Sequence, residues 1–245
     1  MKLYGLIGYP LGHSFSKQYF TEKFAKEGIT DCVFEAFPIP SINEFPQLLK
    51  NNPNLKGLSV TIPYKEQVMQ FVTELSDEVK AIGATNSIKI SGDKLIAYNT
   101  DITGFERSFK ELVKPSHQKA LILGTGGASK AVQYVFGKMG IDFLIVSRVK
   151  NTAKNIIDYS MIDANLLTSH TIIVNTSPLG MSPNEHTFPD LPYELLTTEH
   201  YLYDLVYKPD VTLFLQKGKA SGATVKNGYD MLLLQAEASW EIWNK

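Results

Sequence analysis

Strand-like and helix-like runs alternate along almost the whole of this chain, and that alternation limits the fold more than any other feature. Apolar strands that alternate with helical segments predict parallel sheets covered by helices, an α/β architecture. The stretch GLSVTIPYK, residues 57–65, shows the pattern. Leu58, Val60 and Ile62 alternate with Ser59 and Thr61 at the two-residue period of a strand. Pro63 cannot donate to a sheet ladder, so the strand should end there. Residues 64–75 then read as a helix with Val68, Phe71, Val72 and Leu75 on one face. Lys65 therefore falls where a strand gives way to a helix. Open α/β sheets hold their ligands at the carboxyl ends of their strands, so a lysine there is a candidate for substrate contact.

The rest of the chain follows suit. Strands are expected at 2–8, 32–39, 120–123, 143–146, 171–175 and 201–206. Helices are expected at 16–27, 42–50, 101–113, 129–139, 213–220 and 229–243. Residues 86–90 and 94–98 read as a hairpin around Ser91-Gly92-Asp93, a sequence suited to a tight turn. Lys and Arg number 24 against 25 Asp and Glu, so no strong field draws the chain to nucleic acid or to an anionic membrane. The single cysteine, Cys32, excludes an intramolecular disulfide and suits a reducing compartment. The five histidines lack metal-ligand spacing. No apolar run is long enough to span a bilayer. These features lead us to expect a cytoplasmic protein without a metal site.

The stretch LILGTGGASKAV, residues 121–132, reads as strand, glycine-rich turn, helix. The first glycine permits the turn, and the second lets the backbone approach a pyrophosphate seated on the helix N-terminus. The end of the following strand selects the dinucleotide. A carboxylate there suits the ribose hydroxyl of NAD, whereas an arginine accommodates the 2′-phosphate of NADP. Here the strand ends in Ser147-Arg148, with Lys150 close behind. Asp142 lies at the opposite end of that strand and cannot take the acidic role.

Polar residues also gather at predicted strand ends in the first hundred positions: Ser14 and Ser16, Thr61, Lys65, Asn86 and Asp101. Singly, each has an ordinary explanation, as a helix cap, a turn residue or a solvated charge. Together the motifs resemble the shikimate dehydrogenase family, and the resemblance runs the length of the chain. GYPLGHSFS, GLSVTIPYK, IGATNS, YNTDITGF, GTGGAS, NTSPLGM, YDLVYKP and NGYDMLLLQA occur in the family's order and at similar spacing.

The resemblance implies a two-domain α/β protein. Residues 1–100 and 228–245 would form a substrate-binding domain completed by the C-terminal helix. Residues 101–227 would form an inserted Rossmann-like NADP domain. It implies reversible, NADP-dependent reduction of 3-dehydroshikimate to shikimate, on the route to chorismate and the aromatic amino acids. Carried over by motif, Ser14 and Ser16 would bind the substrate carboxylate, with Tyr207 nearby. Thr61, Asn86 and Gln235 would read the ring hydroxyls, and Lys65 and Asp101 would be the catalytic pair. On the cofactor side the family points to Gly124, Thr125, Gly126, Gly127, Ala128, Ser147, Arg148 and Lys150. Leu205 and Gly228 would lie near the nicotinamide, and Asp77 at the domain cleft. Small molecules are then the partners, and the chain would be a monomer or a homodimer.

The chemistry suits the pair. Hydride addition to a ketone builds negative charge on its oxygen, which an ammonium can stabilise and then protonate. An adjacent aspartate favours the charged form of a lysine.

The chain departs from the family at several points. Ser59 stands where the family usually has Asn, and Lys208 follows Tyr207 in place of Asn. Ser147-Arg148-Val149 replaces the usual Asn-Arg-Thr. Residues 150–170 are short for the family and leave room for only about two helical turns over 151–157. A quinate/shikimate dehydrogenase that uses NAD is one alternative, and Arg148 argues against its NAD. A non-catalytic metabolite-binding regulator on the same fold is another, and the joint presence of Lys65 and Asp101 argues against it.

Overall fold

The computed structural model describes residues 1–12, 15–148, 151 and 155–245, so Ser14 and Lys150 lie outside the described residues. The chain forms two compact units. One is Met1–Thr100 with Ala236–Lys245, and the other is Asp101–Gln235. The chain passes between them twice. The second passage falls inside the C-terminal helix rather than ahead of it at residue 228.

In chain order the first unit contains β1 (Lys2–Gly8), α1 (Phe15–Glu27), β2 (Cys32–Pro38), α2 (Phe45–Asn51), β3 (Leu55–Val60) and α3 (Tyr64–Gln67). These are followed by β4 (Glu74–Leu75), α4 (Asp77–Ile82), β5 (Ser87–Ser91) and β6 (Lys94–Tyr98). The strands make one sheet in the order β2-β1-β3-β5-β6-β4. β5 is antiparallel to both of its neighbours, β3 and β6, and the other pairings are parallel. Leu3, Ile7, Leu58, Val60 and Ile88 build the core on one side of the sheet. On the other side Tyr4, Phe20, Phe34 and Trp243 form an aromatic cluster, with Phe20 stacked on Phe34 and Tyr4 on Trp243. The end of the chain thus returns to complete the core of its beginning.

The helix expected over 64–75 is shorter. It passes into a 3-10 turn over Val68–Phe71, and Leu75 belongs to β4. Val68, Phe71 and Val72 still pack into the same core. The open edge of β6 redirects the chain, since Thr73 N donates to Leu95 O at 2.9 Å and Ser76 N to Ala97 O at 3.0 Å. Ser76 then caps α4 by accepting from Val79 N, and Gly83 closes that helix.

The second unit begins in α5 (Thr100–Lys110) and continues through β7 (Lys119–Leu123), α6 (Gly127–Met139), β8 (Asp142–Val146), β9 (Ile156–Ile157) and α7 (Ala164–Ser169). It ends with β10 (Ile172–Asn175), β11 (Tyr201–Asp204), α8 (Leu213–Ala220), β12 (Thr224–Lys226) and α9 (Tyr229–Asn244), which carries the chain back to the first unit. Its sheet has the order β12-β11-β10-β7-β8-β9, and every pair is parallel. The two helical turns expected over 151–157 are not what the chain forms at their end. Ile156–Ile157 instead lie as a strand beside β8, and Asn151 bridges to Ile156.

Candidate active site

In the first unit the chemistry-bearing residues sit where strands end. β3 finishes at Val60, and Thr61 N still donates to Ile7 O at 3.0 Å. Thr61 O then accepts from Tyr64 N at 2.9 Å, which turns the chain into α3 and sets Lys65 in its first turn. Lys65 is half-buried, and its carbonyl accepts from Thr85 N at 2.9 Å. The next residue, Asn86, is 4% exposed. Its Oδ1 accepts from Thr100 N at 2.6 Å and its Nδ2 donates to Thr100 Oγ1 at 3.0 Å. Thr100 Oγ1 also lies 2.9 Å from Ser239 Oγ in α9. The main chain at Lys65 and the start of α5 are therefore tied to the same two residues, Thr85 and Asn86. Asp101 is one peptide bond beyond that clamp, buried in the first turn of α5. Ser16 is the second residue of α1. Asp77 lies at the start of α4 with its side chain 93% exposed and pairs with Lys80 at 2.8 Å. That pairing holds its carboxyl below the usual range.

In the second unit α5 packs closely on α9. A Cβ on Gly104 would stand 2.5 Å from Met231 O and 3.0 Å from Gln235 Cβ. The helix that carries Asp101 in its first turn and the face of α9 that carries Gln235 are thus side by side. Gln235 also donates to Leu232 O at 2.9 Å.

The glycine turn follows β7. Gly124 has φ +117°, which L side chains rarely adopt, and a Cβ there would meet Thr176 Oγ1 at 2.8 Å. Ser129 Oγ donates to Gly124 O at 2.8 Å and pins the turn. Gly126 precedes α6 without a side-chain cap, and no atom lies within 4 Å of where a Cβ on Gly126 or Gly127 would stand. The N-terminus of a thirteen-residue helix therefore opens on glycines that leave room for an anion, a suitable cradle for a pyrophosphate. Thr125 is exposed and Ala128 half-buried along the same turn. Ser147 and the exposed Arg148 follow β8, and Arg148 lies close enough to Tyr159 to oppose the upward push of burial on its phenol. This donor set fits an anionic dinucleotide.

Leu205 and Tyr207 follow β11. Leu205 N donates to Asn175 O at 2.9 Å, and burial raises the Tyr207 phenol. Gly228 N donates to Val206 O at 3.3 Å, and a Cβ on Gly228 would overlap the Leu205 carbonyl. Beneath them lies a network that the sequence reading missed. The fully buried Asp204 carboxylate accepts from Asn175 Nδ2 at 2.9 Å, Val206 N at 3.0 Å and Thr212 Oγ1 at 2.6 Å. Burial pushes its pKa up to about 6, against these hydrogen bonds. The signal was present in the sequence: Asn175 and Asp204 each close an apolar strand with a polar residue.

Comparison with known proteins identifies what the chain is similar to. Residues 6–88 match the family model described as the shikimate dehydrogenase substrate binding domain. A relative in Carboxydothermus hydrogenoformans, named shikimate dehydrogenase (NADP(+)), is 38% identical over 99% of this chain and 91% of its own length. A solved chorismate mutase/shikimate 5-dehydrogenase fusion protein from Clostridium acetobutylicum superposes with a TM-score of 0.89 at 35% identity, covering 99% of this chain and 91% of that one. The Thermus thermophilus shikimate 5-dehydrogenase, solved with NADP(H) and shikimate, gives a TM-score of 0.86 at 28% identity, covering 99% and 93%.

Proposed function

This chain belongs to the shikimate dehydrogenase family, and from that membership we infer that it reversibly reduces 3-dehydroshikimate to shikimate with NADP(H). The observation that carries the reading is the arrangement at the strand ends. Thr61, Lys65, Asn86 and the start of α5 lie on one connected frame in the first unit, and a bare glycine cradle followed by Arg148 lies in the second.

When bound, reduced NADP supplies the hydride. Gly124 to Ala128 hold its pyrophosphate on the α6 N-terminus. Ser147 and Arg148 receive the 2′-phosphate, where a guanidinium forms charge-assisted hydrogen bonds. Leu205 and Gly228 line the nicotinamide end. Ser14, Ser16 and Tyr207 take the substrate carboxylate with hydroxyl donors. Thr61, Asn86 and Gln235 orient the ring hydroxyls. The Lys65 ammonium stabilises the oxyanion that grows on the ketone oxygen and then protonates it. Asp101 is the second member of the catalytic pair that the family motif supplies. Asn86 clamps the residue before it, Thr100. Asp77, exposed and paired with Lys80, contributes least to this scheme. We place the enzyme in the cytoplasm, a reducing setting that suits its lone cysteine, Cys32.

The test is a spectrophotometric assay of nicotinamide reduction with shikimate or quinate against NADP or NAD. Turnover with shikimate and NADP is expected. Turnover with neither substrate would leave a binding protein and overturn the reading.

A further inference from the structure

We propose that Gly8 is a positioning residue for substrate, one that sets the rotamer of Thr61 by leaving it room. The inference rests on the reading of Thr61 as a contact for a ring hydroxyl. Gly8 ends β1 and is buried. Two main-chain bonds bracket it, from Thr61 N to Ile7 O at 3.0 Å and from Tyr9 N to Ile62 O at 3.1 Å. The backbone at Gly8 therefore cannot back away from the end of β3. The space where its Cβ would stand is filled. A Cβ there would overlap Thr61 Cγ2, stand 2.8 Å from Leu11 Cδ2 and stand 3.1 Å from Ile62 O.

Leu11 can yield, since the atom concerned is the end of a flexible side chain. Thr61 cannot yield without consequence. Its methyl and its hydroxyl share one Cβ, and a β-branched residue has few χ1 wells. Rotating the methyl out of the way swings the hydroxyl into another well. Among the hydrogen bonds of the described residues none uses the Thr61 hydroxyl, although its main-chain N–H and C=O are both engaged. The side chain is half-buried at the carboxyl end of a central strand, which is where such sheets bind ligands. Its orientation is thus set by packing against Gly8 and is available to a ligand.

The experiment is a double-variant cycle with Gly8→Ala, Thr61→Ser and the pair. Thr61→Ser keeps the hydroxyl and removes the methyl that a new Cβ at position 8 would strike. Gly8→Ala alone should raise the KM for shikimate about tenfold, the loss expected when one hydrogen bond is misaligned. The KM for NADP should stay within about twofold, because the change does not touch the cofactor turn. In the Thr61→Ser background, adding Gly8→Ala should raise the shikimate KM by less than about twofold, a coupling characteristic of residues in contact. Thermal melting of the same four proteins checks the contact without reference to substrate, and Gly8→Ala should lower Tm less in the Thr61→Ser background than in the parent. Equal KM effects of Gly8→Ala in the two backgrounds would overturn the inference, as would coupling seen in melting but not in KM. A parent protein without shikimate turnover would instead overturn the functional reading, and the melting cycle would still decide whether Gly8 and Thr61 are in contact.

Discussion

Tyr4, Phe20, Phe34 and Trp243 fill one side of the first unit's sheet with rings, whereas the second unit buries His117, His170, His200 and Asp204 beside its own aromatic residues. The first unit also buries polar side chains: Ser59, Thr85, Asn86, Ser87, Asn99, Thr100 and Ser239. None of these titrates between acid and neutral pH. The second unit's buried histidines and aspartate do. The difference teaches where each kind of group is tolerated. Among the described residues, the first unit's buried polar side chains are ones that do not ionise over this range. The second unit carries its charge-changing groups inside, and its stability has to depend on pH.

The largest expected effect tests Lys65, a residue of the first unit, as the proton donor. Lys65→Ala should lower kcat by about 10²–10⁴-fold, the usual contribution of general acid catalysis. It should leave Tm nearly unchanged, because a half-exposed side chain in a short helix contributes little to the core. If kcat stayed within a few-fold of the parent, Lys65 would be a binding residue only and the proton donor would have to be sought elsewhere.

The next effect tests the aromatic interior. Trp243 is 5% exposed and lies against Tyr4, Phe20 and Phe34. Trp243→Ala should cost about 3–5 kcal/mol, as large-to-small aromatic substitutions do. The loss should fall on the first unit. Amide exchange would show it as faster opening of β1–β3 with β7, β10 and β11 still protected. Uniform loss of protection across both sheets would mean that the two units unfold as one.

A smaller effect belongs to the second unit's surface. Arg148→Ala should weaken NADP about tenfold to a hundredfold, the worth of a charge-assisted contact of roughly 1.5–3 kcal/mol. NAD kinetics and Tm should hold, since Arg148 is exposed. An unchanged NADP/NAD preference would remove the 2′-phosphate from its neighbourhood.

Much of the architecture was legible because it is written in local periods. The β5–β6 hairpin and the strand–glycine–helix run at 119–139 follow from two-residue alternation, tight-turn residues and a glycine cluster. The short edge strands β4, β9 and β12 were not legible. Each is only two or three residues long, too short to show an alternation, and the spacing of Val68, Phe71 and Val72 serves a 3-10 turn as well as an α-helix, because the same three side chains reach the same core. In the site, Thr61, Lys65 and Asp101 could be marked from their motifs. The contacts around them could not, since the Asn86–Thr100 clamp and the Asp204 network join residues that are apart in sequence. Gly8 passed unread because a glycine required for space looks in sequence like a glycine required for a turn.

The smallest effect tests the titrating interior itself. His117 and His200 precede β7 and β11, and they share one arrangement. Each accepts a main-chain N–H at Nδ1, from Lys114 and Thr197 respectively, both at 3.0 Å. The other ring nitrogen, Nε2, lies 3.1 Å from Glu199 O in His117 and 3.2 Å from Leu167 O in His200. A neutral ring protonated on Nε2 satisfies both partners. A second proton would face an N–H across Nδ1. Burial is the main cause that lowers the pKa of these two and of His170. The sign follows. Below the ordinary histidine value of about 6.5 the unfolded chain binds protons that the fold refuses, so stability falls with pH. Asp204 acts in the opposite sense. Its folded value of about 6 lies above the ordinary value of 3.8, so protonation favours the fold, and its contribution is lost as pH rises through about 6. Three histidines against one carboxyl leave a net loss on acidification, at most about 1.4 kcal/mol per pH unit for each uncompensated proton. Both tryptophans, Trp240 and Trp243, lie in the first unit, so their fluorescence follows that unit alone, while amide exchange follows the second. Between neutral pH and about pH 5, below the ordinary histidine value, exchange should quicken in β7, β10 and β11 before tryptophan emission changes. The His117→Gln/His200→Gln pair should flatten that dependence, and Asp204→Asn should steepen it. If the two units lost stability in parallel, or the glutamine pair kept the parent's slope, the acid sensitivity would lie outside these histidines and the contrast between the two interiors would be one of composition only.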